Sequence, residues 1–234
     1  MRIAICDVGP RDGLQNDPVV LQPDVRAELV NRLAAAGVPR IEAVSFVNPA
    51  RVPQMAGAEE VVAGIDRRDG VVYSGLVLNE KGYDRFAATD LDEAHFAFAA
   101  TETFNARNAN ATVEESLAAA ERIVARAHED GRRATVTIGV SLGCPFEGSV
   151  DPGRILDLAA RLAQSQPDEL VFAFVGAIRP YKGLDELLDA FDEVCAADPG
   201  RPRRLLVAGN PDGGPSIEGA MDRCLAHPNV LLHA

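Results

Sequence analysis

The sequence predicts an α/β fold built from repeated strand–helix (βα) units. Short apolar runs of strand length alternate along the chain with amphipathic segments of helical length, which is the pattern of a largely parallel sheet. The chain has 234 residues, of which 47% are hydrophobic, so it is long enough to bury a full core. Polar motifs follow the predicted strands, where parallel α/β folds place their chemistry.

Eight apolar runs are predicted to be strands. They lie near Ile3–Val8, Arg40–Val44, Val71–Val77, Glu93–Ala99, Thr135–Val140, Leu170–Val175, Arg204–Ala208 and Val230–Leu232. A TIM barrel also has eight strands, but the motifs of the chain change after the fifth unit. We therefore expect a partial TIM barrel of five βα units, continued by Rossmann-like βα units. An open doubly wound parallel sheet is the alternative.

Seven amphipathic segments are predicted to be helices. They lie near Pro23–Ala36, Ala58–Asp66, Glu80–Ala88, Val113–Asp130, Pro152–Ala163, Asp185–Ala197 and Ser216–Ala226. Gly37 and Gly131 suit helix C-termini, where a left-handed residue without Cβ carries no steric penalty. Thr112 and Glu115 have the spacing of a capping box.

The charge balance limits the classes of partner. The formal net charge of −12 argues against nucleic acid or an anionic membrane as a partner, since either needs a concentrated basic surface. The N-terminus carries no signal-peptide pattern, and no window reaches the roughly 18 apolar residues of a membrane span. The four cysteines have no CxxC spacing, so we expect reduced thiols in a cytoplasmic protein.

Polar side chains follow the first two strands. Arg11 and Asp12 come directly after the first strand, and Glu42 and Ser45 fall at the end of the second. Because the ends of parallel strands share one rim, these side chains are expected to converge. Asp12 is a plausible ligand for Mg²⁺ or Mn²⁺, and Arg11 suits a developing enolate. An Arg–Asp turn pair with a Glu ion pair of purely structural role explains the pattern equally well.

Four ordered motifs resemble one enzyme family. They are Val8-Gly-Pro-Arg-Asp-Gly-Leu-Gln-Asn16, Ile41-Glu-Ala-Val-Ser-Phe-Val-Asn-Pro49, Val52-Pro-Gln-Met55 and Leu142-Gly-Cys-Pro-Phe-Glu-Gly148. Over about residues 3–163 the chain resembles the hydroxymethylglutaryl-CoA lyases, which are metal-dependent TIM barrels of the aldolase-like kind.

The resemblance implies an activity and a role for three residues. In the family a divalent metal polarises the substrate oxygens, a base removes the hydroxyl proton, and a carbon–carbon bond breaks to release acetyl-CoA as an enolate. By this likeness Asp12 would be the metal carboxylate, Arg11 the cation that stabilises the enolate, and Glu42 the residue that organises the rim. An acyl-CoA substrate and a homodimer are implied in the same way.

The sequence departs from the family pattern in its later part. It does not match the family's His-x-His pair after the sixth strand, its Asn ligand, or its glycine-rich loop with a catalytic Cys. Cys144 matches an earlier loop and is not assigned a catalytic role. With Asp12 as the one identifiable ligand, we expect the metal to be weakly held and turnover to be slow.

A second resemblance begins near residue 167. Residues 168–191, followed by Arg204-Leu-Leu-Val-Ala-Gly209, resemble the start of the C-terminal domain of retaining two-lobed glycosyltransferases. That likeness implies that Arg179 and Lys182 bind the diphosphate of a sugar nucleotide, which two fixed cations at a strand end suit chemically. A basic loop on a solvated turn is the alternative.

These patterns leave the organisation and three functions open. We expect a partial lyase-type barrel over residues 1–165 and a Rossmann-like glycosyltransferase fragment over residues 166–234, with the C-terminal strands docked on the incomplete barrel. The main interpretation is a lyase acting on a 3-hydroxy-3-methylglutaryl-CoA type substrate. A fragment that binds sugar nucleotides and a non-catalytic fusion remnant are the alternatives.

Overall fold

A six-stranded parallel sheet is the centre of the fold. The computed structural model describes residues 5–172 and, beyond them, residues 188–189, 192, 196, 205–208, 222–226 and 230–233. The strands of this sheet are β1 (Cys6–Asp7), β2 (Arg40–Ser45), β3 (Val72–Val77), β4 (Glu93–Ala99), β5 (Arg133–Gly139) and β6 (Glu169–Phe172). They lie side by side in chain order. β7 (Leu205–Ala208) and β8 (Val230–His233) form a separate parallel pair.

Six helices connect the strands of the six-stranded sheet. They are α1 (Pro23–Ala35), α2 (Ala58–Ala63), α3 (Glu80–Ala87), α4 (Glu102–Ala109), α5 (Val113–Glu129) and α6 (Pro152–Gln164). A single π-helical turn, Gly9–Gly13, follows β1, and a short 3₁₀ turn, Pro53–Met55, precedes α2. Within the part of the chain that the structure describes, no helix has the length and apolarity needed to cross a membrane.

The strand order confirms the predicted α/β fold and partial barrel. Each strand pairs with the next strand of the chain, so each βα unit advances in the same direction, as in a TIM barrel. A doubly wound sheet needs a point where the strand order reverses. The six described strands contain no reversal, so the doubly wound alternative is wrong for this sheet.

Most predicted elements are found within a few residues of their expected bounds, and the predicted helix ends are confirmed. Gly37 has φ +90° and Gly131 has φ +68°, the left-handed values that favour glycine at helix C-termini. Thr112 and Glu115 form both hydrogen bonds of a capping box at the start of α5. The predicted helices over 185–197 and 216–226 lie largely outside the described residues.

Helix α4 was not predicted, because its buried face is polar. The helix carries a buried asparagine, Asn105, at the position where an amphipathic pattern would show an apolar residue. Its side-chain oxygen accepts the Ala99 N–H at 3.0 Å, and its amide nitrogen donates to Ala111, Thr112 and Ser116. These hydrogen bonds, rather than apolar burial, fix α4 against the end of β4.

The two faces of the sheet have different chemistry. The face that packs on the helices carries the apolar core, which includes Ile41, Tyr73, Phe96, Val136 and Ile138, all at most 1% exposed. At Gly75 an added Cβ would lie 2.7 Å from the Phe46 ring and 2.9 Å from Leu91, so a side chain has no room there. The opposite face corresponds to the interior of a barrel.

Charged side chains cover that interior face near the N-terminal ends of the strands. Arg40 on β2 reaches across β3 and forms ion pairs with Glu93 on β4 and Glu169 on β6. Thr135 on β5 donates to the same Glu93 carboxylate at 3.1 Å. The Glu93 side chain is fully buried, and Arg133 Nε lies 3.5 Å from its other oxygen.

We expect Arg40→Leu to lower the free energy of unfolding by about 3 kcal/mol, because it leaves a buried carboxylate without its main cation. Urea unfolding at pH 7 measures this. Arg32→Leu is the control: its ion pair with Glu28 is largely exposed, and its loss is expected to change stability by less than about 0.5 kcal/mol. Equal effects of the two substitutions would contradict the prediction.

Candidate active site

The turn after β1 brings two of the predicted site residues to the end of the strand. Within the π-helical turn, the N–H groups of Arg11, Asp12 and Gly13 all donate to the carbonyl of Val8, at 3.1, 2.7 and 3.4 Å. The Asp7 carboxylate accepts the Gly9 N–H at 2.8 Å and anchors the start of the turn. The turn therefore holds Arg11 and Asp12 next to β2.

Arg11 joins the three predicted catalytic residues into one cluster. Its Nε donates to Glu42 on β2, and its Nη1 donates to Asp12 Oδ1 at 2.7 Å. The side chains of Arg11 and Glu42 are 13% and 2% exposed, whereas that of Asp12 is 49% exposed. The cluster thus combines a buried carboxylate inside the sheet, that of Glu42, with a half-exposed carboxylate at the rim, that of Asp12.

Two further residues extend the cluster across the interior face. His95 on β4 shares the Glu42 carboxylate through its Nδ1, and its Nε2 lies 2.7 Å from the hydroxyl of Thr137 on β5. Sequence reasoning missed both residues. The alternation along β4 was the available signal: Glu93 and His95 are two residues apart, so they share a face, and that face is the polar one.

The surroundings of Glu42 keep it ionised. Burial alone would raise the pKa of its carboxyl, but the hydrogen bonds and charges of His95 and Arg11 outweigh burial and hold the pKa below its ordinary value. An ionised carboxylate is acceptor-only, so both contacts are donated to it. Glu42 is therefore a fixed negative charge against which Arg11 is oriented.

Ser45, which was expected at the same rim, does not join this cluster. Ser45 is fully buried, and its hydroxyl accepts the Val47 N–H at 3.3 Å; it has no hydrogen bond to Arg11, Asp12 or Glu42. Arg179 and Lys182, predicted to bind a sugar nucleotide, lie outside the described residues. Cys144 is buried and accepts a contact from the Thr101 hydroxyl at 3.1 Å.

The described residues do not by themselves fit a divalent metal. Over residues 5–172 and the shorter described stretches, no three His, Cys, Asp or Glu side chains are grouped as a metal site requires. Asp12 presents an accessible carboxylate of the type that Mg²⁺ and Mn²⁺ bind, but one of its oxygens already accepts from Arg11. A single carboxylate gives weak binding at most.

Comparison with known proteins identifies the family. The HMGL-like family model matches residues 2–198, which is most of the chain. This chain belongs to the HMGL-like family. The match continues through the junction predicted near residue 165, as does the six-stranded sheet, whose β6 pairs with β5.

Three individual proteins show the same likeness. An (R)-citramalyl-CoA lyase of Chloroflexus aurantiacus is 40% identical over 73% of this chain and 57% of that protein. The crystal structure of an HMG-CoA lyase from Bacillus subtilis superposes with a TM-score of 0.80 at 29% identity, over 99% of this chain and 76% of that one. An HMG-CoA lyase from Acinetobacter baumannii, in complex with coenzyme A and 3-methylmalate, has a TM-score of 0.75 at 28% identity over 83% and 62% of the two chains.

These findings confirm the lyase resemblance and give no support to the glycosyltransferase resemblance. The HMGL-like match extends to residue 198, well past the point where the glycosyltransferase resemblance was expected to begin. The chain spans about half the length of the curated relatives it matches.

We expect Glu42→Gln to flatten the dependence of stability on pH. Because the folded-state pKa of Glu42 lies below its ordinary value of 4.5, the unfolded chain takes up the proton first as the pH falls. The stability that the carboxylate contributes is therefore full well above pH 4.5 and is lost below it. Urea unfolding from pH 6 to pH 3 measures the slope. Glu28→Gln, on the exposed face of α1, should leave the wild-type slope unchanged, and a wild-type slope in Glu42→Gln would refute the expectation.

Proposed function

We propose that this protein is a carbon–carbon lyase for a CoA thioester of the 3-hydroxy-3-methylglutaryl type, giving acetyl-CoA and a keto acid. Membership of the HMGL-like family supports this class of reaction. The single observation that carries the proposal is the orientation of Arg11, which the buried Glu42 carboxylate fixes at the end of β1. A (R)-citramalyl-CoA lyase and HMG-CoA lyases among the relatives favour this substrate class.

Arg11 is suited to the step in which charge develops. When the carbon–carbon bond breaks, the substrate hydroxyl gives its proton to a base and becomes the ketone of the keto acid. The electron pair of the broken bond passes to the thioester carbonyl, whose oxygen becomes the enolate oxygen until the enolate carbon takes up a proton to give acetyl-CoA. The guanidinium uses Nε and Nη1 for Glu42 and Asp12, and Nη2 has no hydrogen-bond partner among the described residues. Arg11 Nη2 is therefore available to donate a hydrogen bond to the enolate oxygen. A fixed cation aimed at developing charge stabilises the transition state without reorganising.

The metal is a separate part of the proposal. We infer that Mg²⁺ or Mn²⁺ binds through Asp12, weakly when the described residues alone supply ligands. The half-exposed Asp12 carboxylate supports this, since its Oδ2 has no hydrogen bond to the described residues. No chemical step is assigned to the ion.

We propose a cytoplasmic location and a homodimer, in keeping with the family resemblance, and an acyl-CoA as the small-molecule partner. The Acinetobacter baumannii lyase bound to coenzyme A supports this class of ligand.

The division of the chain into a partial barrel over 1–165 and a second unit over 166–234 also stays a proposal. Limited proteolysis into two stable fragments split near residue 165 would favour it.

We expect Arg11→Gln to reduce kcat for cleavage of 3-hydroxy-3-methylglutaryl-CoA by roughly 100-fold or more, because one donor to a developing oxyanion is typically worth that much. Release of acetyl-CoA in the presence of Mg²⁺ or Mn²⁺ is the measurement. Arg32→Gln, on the exposed surface of α1, is the matched control and should keep wild-type activity. Wild-type protein that releases no acetyl-CoA would refute the proposed function.

We expect Asp12→Ala to abolish the heat of Mn²⁺ binding in calorimetric titration, because the substitution removes the one accessible carboxylate of the cluster. Asp24→Ala, which removes an exposed carboxylate at the start of α1, should leave the heat unchanged. Mn²⁺ binding that survives Asp12→Ala would show that other residues hold the ion. Heat released only by a nucleoside-diphosphate sugar would instead favour the glycosyltransferase alternative.

A further inference from the structure

The contact between Glu42 and His95 has no role in the function proposed so far. Glu42 has two carboxylate oxygens: Oε1 accepts from Arg11 Nε, and Oε2 is shared with His95 Nδ1. The two partners come from different parts of the sheet, one from the turn after β1 and one from β4. Both oxygens of the Glu42 carboxylate are thus held inside the sheet, where the side chain is 2% exposed.

The imidazole of His95 is itself fixed at both ring nitrogens. Nδ1 donates to Glu42, since an ionised carboxylate only accepts. Nε2 lies 2.7 Å from the Thr137 hydroxyl, which is able to donate to a neutral ring or accept from a charged one. Both contacts together remove the freedom of the ring to flip about its Cβ–Cγ bond. His95 is 18% exposed, so few water molecules compete for these bonds.

We propose that His95 is a positioning residue of this active site: through Nδ1 it fixes the Glu42 carboxylate, and the fixed carboxylate aligns Arg11 with the reacting thioester. The effect of His95 on catalysis rests on the proposed function. The alignment of Arg11 by Glu42 and His95 does not depend on it. His95 does not touch the reacting atoms. It acts through Glu42.

The physical reason for this role is that a carboxylate held by only one hydrogen-bond partner is able to rotate. Without His95, Glu42 Oε2 is left in a nearly dry site without a donor, and the carboxylate rotates to regain one. Rotation of the carboxylate moves the oxygen that orients Arg11 Nε. Reaction rates are sensitive to such displacements, since an error of about 1 Å in a catalytic group costs roughly 100-fold.

Substitutions that imitate one ring nitrogen at a time separate positioning from packing. In His95→Asn the amide nitrogen stands near the place of Nδ1 and keeps the donation to Glu42. In His95→Gln the amide stands near the place of Nε2 and keeps only the contact with Thr137. His95→Ala removes both. The Asn and Gln variants are both polar and uncharged, so they serve as controls for each other.

The first measurement is the ¹H–¹⁵N resonance of the Arg11 Nε–H group, assigned with Arg11→Lys. We expect a protected, shifted signal in the wild type and in His95→Asn, and its loss or collapse to the solvent-exposed position in His95→Gln and His95→Ala. Thermal unfolding of each variant reports stability separately. If His95→Ala does not fold, the comparison of Asn with Gln decides alone.

The second measurement is the kinetics of acetyl-CoA release. We expect kcat to fall roughly 10- to 100-fold in His95→Gln and His95→Ala with KM nearly unchanged, and to recover to within about threefold of wild type in His95→Asn. A purely packing role predicts losses that follow stability and no rescue by Asn.

The two measurements distinguish a wrong positioning role from a wrong lyase function. An Arg11 signal that is unchanged in His95→Gln and His95→Ala, or that is lost equally in His95→Asn, would overturn the positioning role. If the wild type shows the expected Arg11 signals but cleaves no CoA thioester, the positioning of Arg11 by His95 holds and the proposed lyase function fails.

Discussion

The ion pair between Arg11 and Glu42 is the interaction on which the arrangement of the site depends. A carboxylate almost without solvent must be paired or protonated, and Glu42 is paired on both oxygens. The pair also connects a turn to the sheet, because Arg11 belongs to the five residues after β1 while Glu42 lies inside β2. The turn is thereby tied to the sheet.

The different chemistry of the two sheet faces makes this pair possible. A parallel strand is usually covered by helices and apolar on both sides, but in this sheet only the helix-facing side is apolar. The interior side carries polar side chains at alternate positions of β2, β4 and β5, and their hydrogen bonds join β2 to β5 and β4 to β5. Polar groups from distant parts of the sequence therefore meet without entering the hydrophobic core.

Much of the fold was predictable because it follows from local patterns. β4 was predicted with its observed bounds, and α1, α3, α5 and α6 within one residue at their C-terminal ends. Helix α4 was not, since its buried face is secured by the amide of Asn105 rather than by apolar side chains. The contact of Arg11 with Asp12 and Glu42 was predictable because the first follows β1 and the last lies on the neighbouring strand β2. His95 and Thr137 were not, because a long-range contact between β2, β4 and β5 leaves only a weak alternation in each strand.

The ion pairs of Arg40 with Glu93 and Glu169, near the N-terminal ends of the strands, bear on local unfolding of the sheet. Arg40 links β2 to β4 and β6, and Glu93 also holds Thr135 of β5, so one layer of side chains joins four strands of the sheet. Detaching β2 from β4 breaks the ion pair of the fully buried Glu93 carboxylate. Local fluctuations should therefore be suppressed there, and the strands should exchange their amide hydrogens as one cooperative unit. The turn that carries Arg11 and Asp12 lies outside this layer, so its local opening breaks none of the layer's ion pairs.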